Sequence, residues 1–247
     1  MDPQAFRRPL RGTGLLFKGC QESSRMYLGS CFSVVEPTIF LTAAHCIKET
    51  PLDQLWINHF GGPAPNQLTK VHRIEWVDEY DLAILQTDAP LAKWAAPFKK
   101  LKYAVDFGEE VCAFGYPQDL ISQVASKETA RMLRGSVQRP FFFERQGRKY
   151  SAYELSFPCS PGLSGSPLFL ASDPATVIGI VTENFETYTV IDEYVDEKHP
   201  NEKILHEARR VITYGVAANV DGAVHAIEKL LGHRLPDPEP ESGGENT

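Results

Sequence analysis

Short apolar stretches rich in Val, Ile and Phe recur along the chain and are separated by Gly, Pro, Asp and Asn. Segments of this length and composition favour β-strands, because β-branched and aromatic side chains suit a pleated, half-buried surface. The pattern therefore predicts an all-β sandwich or barrel. The predicted strands are Gly14–Lys18, Ser30–Val35, Ile39–Thr42, Leu55–Phe60, Val71–Val77, Leu82–Gln86, Glu110–Phe114, Gly135–Glu144, Ser151–Phe157, Pro167–Ala171, Val177–Glu183 and Tyr214–Asn219.

Two stretches have helical spacing instead. Asp221–Leu231 carries apolar residues on one face and has Asp221 as a candidate N-cap, so it predicts a terminal helix docked on the β-structure. A shorter, charged helix is predicted around Ile204–Arg210. A Gly-Gly-Pro-Ala-Pro run at 61–65 marks a turn, and residues 232–247 are polar and proline-rich enough to predict a disordered acidic tail.

The 247 residues are 43% hydrophobic, which is enough to bury a core, and the length suits one domain or two closely packed halves. No run of about 18 apolar residues occurs, and the first residues lack the apolar stretch of a signal peptide. We therefore expect a cytoplasmic protein with no membrane partner. Five cysteines lack the spacing of a zinc site or a disulfide framework, so we expect reduced thiols, no metal and no cofactor.

The formal net charge of −7 disfavours nucleic acid as a partner. A basic stretch at 127–149 interrupts the acidic balance, and we interpret it as the solvated face of a hairpin. The acidic segment Phe185–Thr213 has several interpretations. It is either a solvated surface loop or an element that contacts a basic partner or packs near the basic hairpin.

Three short segments carry candidate chemistry: Thr42-Ala-Ala-His-Cys46, Tyr80-Asp-Leu-Ala-Ile-Leu85 and Pro161-Gly-Leu-Ser-Gly-Ser-Pro167. A serine hydroxyl becomes an effective nucleophile when a base removes its proton, and histidine suits this because its pKa lies near neutrality. A carboxylate can orient such a histidine. A lone histidine or aspartate more often has a structural role. It is the occurrence of the three segments in this order that indicates nucleophilic catalysis.

In order, spacing and strand context, these segments and Gly29-Ser-Cys-Phe32 resemble the chymotrypsin/trypsin-like serine peptidases, in an intracellular, bacterial-type branch. Val177–Thr182 and Tyr214–Ala217 resemble two further strands of that family. The resemblance implies two packed six-stranded antiparallel β-barrels and a C-terminal α-helix. It implies a peptidase domain at 1–231, with barrels at about 6–95 and 104–220 and the helix at 221–231.

The resemblance also implies an activity and the residues that perform it. The chain would be a serine endopeptidase that hydrolyses protein or peptide substrates through an acyl-enzyme. Ser164 would be the nucleophile, His45 the general base, and Asp81 the group that orients the imidazole. The backbone N–H groups of Gly162 and Ser164 would form the oxyanion hole. The hydroxyl of Thr182 would support Asp81.

The family's specificity pocket corresponds to a further set of residues. Pro158 stands where family members that cleave after Arg or Lys have an aspartate, and Asn184 narrows the mouth of the pocket. We therefore expect a small or medium uncharged residue at the cleavage site, with a basic residue as the alternative because of Glu183 and Glu186. The expected lining residues are Pro158, Cys159, Val181, Thr182, Glu183, Asn184 and Gly215.

The chain departs from the family at several positions. Leu163 replaces the aspartate that pairs with a new N-terminus after zymogen cleavage, and no Ile-Val-Gly-Gly segment precedes His45. We therefore expect activity without that processing, or activation by a regulatory protein partner. Cys46 occupies a family disulfide position, but Leu28 stands at its partner's position. Ser166 replaces a glycine, which we expect the strand to tolerate.

Two other classes of protein compete with this interpretation. The first is a catalytically silent, protease-like binding or regulatory module, against which the presence of all three candidate residues argues. The second is an α/β-hydrolase esterase, whose nucleophile motif requires glycine at position 166 and whose residues run in the order Ser, Asp, His. Ser166 and the upstream positions of His45 and Asp81 disfavour that class.

Overall fold

In the computed structural model, strands from the first third of the chain close into a six-stranded antiparallel barrel in the order β1-β2-β3-β6-β5-β4. The structure describes residues 7–21, 25–58, 68–88, 98–101, 104–118, 130–145, 147–199 and 202–235. The strands of this N-terminal barrel are β1 (Thr13–Lys18), β2 (Met26–Ser33), β3 (Ile39–Ala43), β4 (Leu55–Asn58), β5 (Leu68–Val77) and β6 (Leu82–Thr87). Its interior holds fully buried aliphatic and aromatic side chains such as Leu16, Phe40 and Leu85.

The second half of the chain forms another ring of six strands, which we call the C-terminal barrel. Its order is β11-β8-β9-β10-β13-β12, and pairing of β11 with β12 closes it. A two-stranded parallel contact adds β7 (Lys100–Leu101) to the start of β12. The other strands are β8 (Glu110–Gly115), β9 (Arg131–Arg145), β10 (Arg148–Leu155), β11 (Pro167–Leu170), β12 (Thr176–His199) and β13 (Glu202–Asn219). The expected two-barrel, all-β fold is confirmed.

A continuous apolar core joins the two barrels. Phe98, from the segment between them, lies between Phe32 of β2 and Phe169 of β11, with ring centroids 5.6 Å and 5.9 Å apart. All three side chains are fully buried. Aromatic pairs at such separations stabilise beyond their buried area, so these three rings help to hold the two barrels together.

The chain also forms two α-helices, α1 (Arg7–Gly12) and α2 (Asp221–Leu231). The predicted terminal helix is confirmed as α2, which buries Ala223, Val224 and Ile227 against the core. Its cap differs from the prediction, because Val220 is the N-cap residue and Asp221 lies in the first turn. The side chain of Asn219 accepts the Asp221 N–H instead, at 3.0 Å. The sequence pattern did not indicate α1.

The helix predicted around Ile204–Arg210 is wrong, since these residues belong to β13. Strands β12 and β13 pair as one long antiparallel hairpin that extends to His199↔Glu202. The reason lies in the partner strand, where Thr187, Thr189 and Val190 are β-branched or small polar residues that favour extended pairing. The interpretation of Phe185–Thr213 as a surface loop is therefore replaced by a two-stranded ribbon.

Some predicted features fall outside the described residues. These are the turn at 61–65, the end of the fourth predicted strand at 59–60, part of the basic stretch before residue 130, and the tail from residue 236 onwards. The predicted domain boundaries stay a prediction. Among the described residues, no helix has the length and apolarity needed to cross a bilayer.

Candidate active site

His45 and Asp81 are brought together by the pairing of β3 with β6. Ala43 lies opposite Leu82, so the 3₁₀ turn that follows β3 meets the residue that precedes β6. His45 Nδ1 lies 2.7 Å from Asp81 Oδ2, and the His45 backbone N–H donates to Asp81 Oδ1 at 3.1 Å. Asp81 has φ 53°, a left-handed conformation that aspartate tolerates better than most residues. The carboxylate therefore fixes both the ring and the backbone of His45.

The surroundings of His45 favour its protonated form. Burial lowers the pKa of the imidazole, but the hydrogen bond and negative charge of Asp81, with a further contribution from Cys46, outweigh burial and raise the pKa to about 10. Since Asp81 Oδ2 accepts from Nδ1, the other ring nitrogen is left to exchange a proton with a substrate or nucleophile. The pair has the arrangement of a base and its orienting carboxylate.

Ser164 lies at the junction of the barrels, in a turn with a glycine on each side whose backbone conformation disfavours other residues. Gly162 has φ +92° and Gly165 has φ +86°, and a Cβ on Gly165 would lie 2.0 Å from the Ser30 carbonyl oxygen. The Ser164 carbonyl accepts the Ser30 N–H at 2.9 Å, which ties the turn to β2. Ser164 Oγ donates to the carbonyl of Thr182 at 2.8 Å, and within the described residues it makes no hydrogen bond to His45.

The loop before Ser164 is held by groups from both barrels. The Gly162 carbonyl lies 2.8 Å from the Tyr27 hydroxyl and 3.0 Å from Ser30 Oγ, and the Pro161 carbonyl accepts the Gln118 N–H at 2.8 Å. The peptide that carries the Gly162 N–H is thereby fixed. In the described part of the chain, neither the Gly162 N–H nor the Ser164 N–H donates to a protein acceptor, so both are available to a bound group.

The residues expected to line the specificity pocket are partly brought together. The Asn184 side chain spans the space to Cys159 with two hydrogen bonds, since Cys159 N–H donates to Oδ1 at 2.7 Å and Nδ2 donates to the Cys159 carbonyl at 2.8 Å. Gly215 closes the same space, because a Cβ there would lie 2.6 Å from Cys159 Sγ. Val181 and Thr182 are buried beneath, whereas Pro158 is exposed.

The expected support of Asp81 by Thr182 is wrong. The Thr182 hydroxyl donates to the Val216 carbonyl at 3.2 Å, and Thr182 is a buried residue at the point where the β12–β13 register shifts. Arg145, the last residue of β9, takes the place beside Asp81. Its Nη1 lies 3.4 Å from Asp81 Oδ2 and 3.0 Å from Glu183 Oε1.

Arg145 was missed in the sequence because no motif contains it. The only signal is its position in the basic stretch at 127–149, which gives no hint of a contact with the N-terminal barrel. Its Nη1 also approaches His45 Nδ1 to 3.3 Å. A proton on Nδ1 already points to Asp81, so this approach is a contact between the imidazole and a cation. It opposes protonation of His45.

Leu163 and Ser166 are both buried beside the nucleophile. Leu163 is 1% exposed and packs with the apolar interior of the C-terminal barrel. Ser166 is fully buried, and its Oγ has no hydrogen-bond partner in the described structure. Gly115 makes room for it, since a Cβ at that position would lie 1.9 Å from Ser166 Oγ. The strand accommodates Ser166 as expected, at the expense of an unpaired hydroxyl.

Among the described residues, no group of three or more His, Cys, Asp or Glu side chains is arranged to hold a metal ion. The site consists of side chains and backbone groups from both barrels. These provide an oriented imidazole, a hydroxyl 2.8 Å from a carbonyl acceptor, and two backbone donors.

Comparison with known proteins bears on this arrangement. The profile of the trypsin-like peptidase domain matches residues 29–180, which include the segments around His45, Asp81 and Ser164. The chain belongs to the trypsin-like peptidase family. It is accordingly a serine endopeptidase by class. A search of curated protein sequences gives no significant match.

Solved structures resemble this trypsin-like peptidase at low sequence identity. The active form of the Rv3671c protease from M. tuberculosis has a TM-score of 0.60 and 16% identity, over 96% of this chain and 90% of that one. The MamO protease domain from Magnetospirillum magneticum has a TM-score of 0.63 and 14% identity, over 90% and 98%. An inactivated protease paralogue of the scabies mite has a TM-score of 0.60 and 15% identity, over 91% and 96%. At these identities the likeness concerns the fold.

Proposed function

We propose that this protein hydrolyses peptide bonds in protein substrates with Ser164 as nucleophile, His45 as base and Asp81 as the residue that orients His45. The observation that supports this most strongly is the 2.7 Å hydrogen bond between His45 Nδ1 and Asp81 Oδ2 at the barrel junction where Ser164 lies. That bond selects the tautomer in which Nε2 can accept a proton. The expected reaction is acyl transfer to Ser164, followed by hydrolysis of the acyl-enzyme.

The first step requires one rearrangement. Ser164 Oγ donates to the Thr182 carbonyl, so the hydroxyl has to turn towards His45 Nε2 before it can attack a substrate carbonyl. Rotation of the Ser164 side chain about its Cα–Cβ bond is the expected rearrangement, and such rotamer changes are fast compared with turnover. His45 then accepts the proton from Ser164 and returns it to the leaving amine, while Asp81 stabilises the imidazolium.

The developing negative charge on the substrate oxygen needs donors that are already fixed. The N–H groups of Gly162 and Ser164 are candidates, because the loop that carries them is held through Tyr27, Ser30 and Gln118. Donors that require no reorganisation during the reaction stabilise such charge most effectively. Removal of one such donor typically costs about 100-fold to 1,000-fold in kcat.

Control of the enzyme is proposed to be independent of zymogen cleavage. Leu163 fills its position with a buried apolar side chain, and such a side chain cannot receive a new N-terminal ammonium. We therefore propose activity without that processing, or activation by a regulatory protein partner. A cytoplasmic location is a separate part of the proposal. Cell fractionation tests the location, and activity of the chain with an intact Met1 tests the independence from processing.

The proposed cleavage preference is a small, uncharged residue. Asn184 and Cys159 are joined by two hydrogen bonds across the expected pocket, and Gly215 is packed against Cys159. A long side chain would have to break both bonds. The alternative basic preference is weakened because Glu183 already faces Arg145 at 3.0 Å. Glu186 is exposed on the hairpin.

Substitution Asn184→Gly tests this preference. Without the amide bridge the pocket opens, so we expect kcat/KM for a peptide with Phe at the cleavage site to rise about tenfold relative to its Ala counterpart. The measurement is a pair of matched fluorogenic peptides. An unchanged Phe-to-Ala ratio would contradict the role of Asn184 without affecting the proposed nucleophile.

A fluorophosphonate probe tests the function itself. We expect stoichiometric labelling of the full-length chain at Ser164, located by peptide mass spectrometry, and loss of both labelling and peptide hydrolysis in Ser164→Ala. The matched control is Ser160→Ala, an exposed serine of the same loop, which should retain labelling. Failure of the wild-type chain to label would favour the catalytically silent module.

A further inference from the structure

A cavity of about 310 Å³ lies beside the imidazole of His45 and is separate from the pocket closed by Asn184. Its walls come from both barrels. The N-terminal barrel contributes Lys48 and the indole of Trp76, and the C-terminal barrel contributes Arg145, Arg148 and Tyr150. Ser164 does not line it. Of the three proposed catalytic residues, His45 and Asp81 therefore border the cavity and Ser164 does not.

The side chains around the cavity are mainly cationic. Three of them are Lys or Arg, whereas Asp81 is the one carboxylate in its lining. Asp81 is already engaged by His45 and Arg145. Lys48 is exposed, and no described carboxylate lies within ion-pair distance of its ammonium group. Arg148 has a partner of its own, so its donors are not assigned to a ligand.

Arg145 retains donors for a ligand although it is paired. All of its contacts among the described residues, with Asp81, Glu183 and His45, are made through Nη1. A guanidinium has five N–H donors in a planar fork, so those on Nη2 and Nε stay available. Arg145 is also 30% exposed, which leaves the group accessible from the cavity.

The walls suit a side chain that has both methylene groups and a charge. Trp76 is 42% exposed and Tyr150 is 3% exposed, so an indole and a buried phenol ring provide apolar surface between the cations. A glutamate or aspartate side chain could place its methylenes against these rings and its carboxylate between Lys48 and Arg145. A lysine of the substrate would be repelled by Lys48 and Arg145 and would bind more weakly.

We propose that this cavity binds the carboxylate of a Glu or Asp residue in the peptide substrate, next to the scissile bond, with Lys48 and Arg145 as its specificity-determining residues. The inference rests on the proposed peptidase function. Because His45 borders both the cavity and the reaction centre, the residue in the cavity has to lie close to the one attacked by Ser164. The enzyme thus selects substrates with an acidic residue beside a small one.

The test uses the full-length chain and peptides with a fixed Ala at the cleavage site. Glu is placed in turn at each neighbouring position and compared with the isosteric, uncharged Gln and with Lys. We expect Glu at one position to raise kcat/KM about tenfold over Gln, since charge-assisted hydrogen bonds are stronger than neutral ones. This advantage should shrink in high salt, which screens exposed charges.

Charge reversal at Lys48 sharpens the test. In Lys48→Glu the preference for the Glu peptide over the Gln peptide should be lost, whereas Lys48→Arg should keep the wild-type preference. The matched control is Lys70→Glu, which makes the same charge change on β5 beside Trp56. Equal preferences in the Lys48→Glu and Lys70→Glu variants would overturn the proposal.

A binding measurement separates this proposal from the proposed function. Trp76 lines the cavity, so its fluorescence can report binding of the Glu and Gln peptides to Ser164→Ala, which requires no turnover. Tighter binding of the Glu peptide supports the cavity even if the wild type hydrolyses nothing. Hydrolysis of all peptides with equal kcat/KM, and equal binding, would overturn the cavity proposal and leave the peptidase intact.

Discussion

The strands of the N-terminal barrel are short, whereas three strands of the C-terminal barrel continue well beyond the barrel itself. The longest N-terminal strand, β5, has 10 residues, while β9, β12 and β13 have 15, 24 and 18. The compact barrel supplies His45 and Asp81 from adjacent strand ends. The extended barrel supplies Ser164 and also sends Arg145 across to the neighbouring pair. The N-terminal barrel thus contains the proposed base, and the C-terminal barrel places Ser164 and Arg145 beside it.

The N-terminal barrel holds the His45–Asp81 pair in a fixed position, whereas the strand extensions of the C-terminal barrel form the surroundings of that pair. The His45–Asp81 contact depends on a strand register that barrel closure enforces. Arg145 and the outer part of the β12–β13 ribbon lie beyond the strand pairs that close the C-terminal barrel. Substitutions in the two groups should therefore differ in size and kind of effect.

The largest effect is expected within the compact barrel, for Asp81→Asn. The amide would favour the wrong tautomer of His45, so kcat should fall by about 10,000-fold with little change in KM. Steady-state kinetics on one peptide measures this. The control is Glu183→Gln, which removes the other carboxylate that faces Arg145 and should change kcat only a few-fold. Comparable losses in both variants would abolish the distinction between the barrels.

The next effect concerns stability of the extended barrel. Leu163→Asp restores the residue of the secreted zymogens but buries a carboxylate in an apolar cluster, and we expect it to lower the free energy of unfolding by about 3 kcal/mol. Chemical denaturation measures it. Leu163→Met, which keeps the volume, should cost less than about 1.5 kcal/mol. An Asp variant as stable as the Met variant would show that a charge can be accommodated beside Ser164.

A smaller effect is expected where the barrels meet, for Arg145→Gln. Removal of the cation should raise the pKa of His45 further, by roughly one pH unit. Activity requires neutral His45, so kcat/KM rises with pH towards about 10 in the wild type, and the variant should need a higher pH still. The peptide used here should lack acidic residues.

The His45 resonance of Ser164→Ala, followed by NMR with and without Arg145→Gln, gives the pKa directly. Arg139→Gln, which breaks a pair with Glu154 instead, is the control and should leave the His45 pKa unchanged. The folded pKa of about 10 lies above the ~6.5 of a free histidine. The pair therefore stabilises the fold fully below about pH 6.5 and loses that contribution as pH rises through 10. A lower His45 pKa in the Arg145 variant would contradict the proposed contact.

The smallest effect is expected for Ser166→Ala, at the position immediately before β11. The Ser166 hydroxyl is buried without a partner, so its removal should be neutral or stabilise the protein by up to about 1 kcal/mol. Thermal unfolding is the measurement. Ser30→Ala removes a hydroxyl that does have partners and should destabilise. Clear destabilisation by Ser166→Ala would mean that an ordered water satisfies the hydroxyl.

The sequence predicted those features that depend on residues close to one another in the chain. The strands around Thr42 and Leu82 follow from short segments rich in β-branched and aromatic residues that are bounded by turn residues. The contacts of Arg145 and the Asn184–Cys159 bridge could not be predicted, because each joins segments whose relative position is set by the closed barrel. The Ile204–Arg210 error has the same origin, since its strand state depends on a partner strand.

Tyr27 links the halves of the molecule in a way that affects biosynthesis. Its hydroxyl, on β2, lies 2.7 Å from the Tyr116 carbonyl and 2.8 Å from that of Gly162. The loop before Ser164 is thus shaped by a residue that leaves the ribosome more than a hundred positions earlier. A nascent or truncated chain that contains only one half lacks this contact, so proteolytic competence should arise only when synthesis and docking are complete.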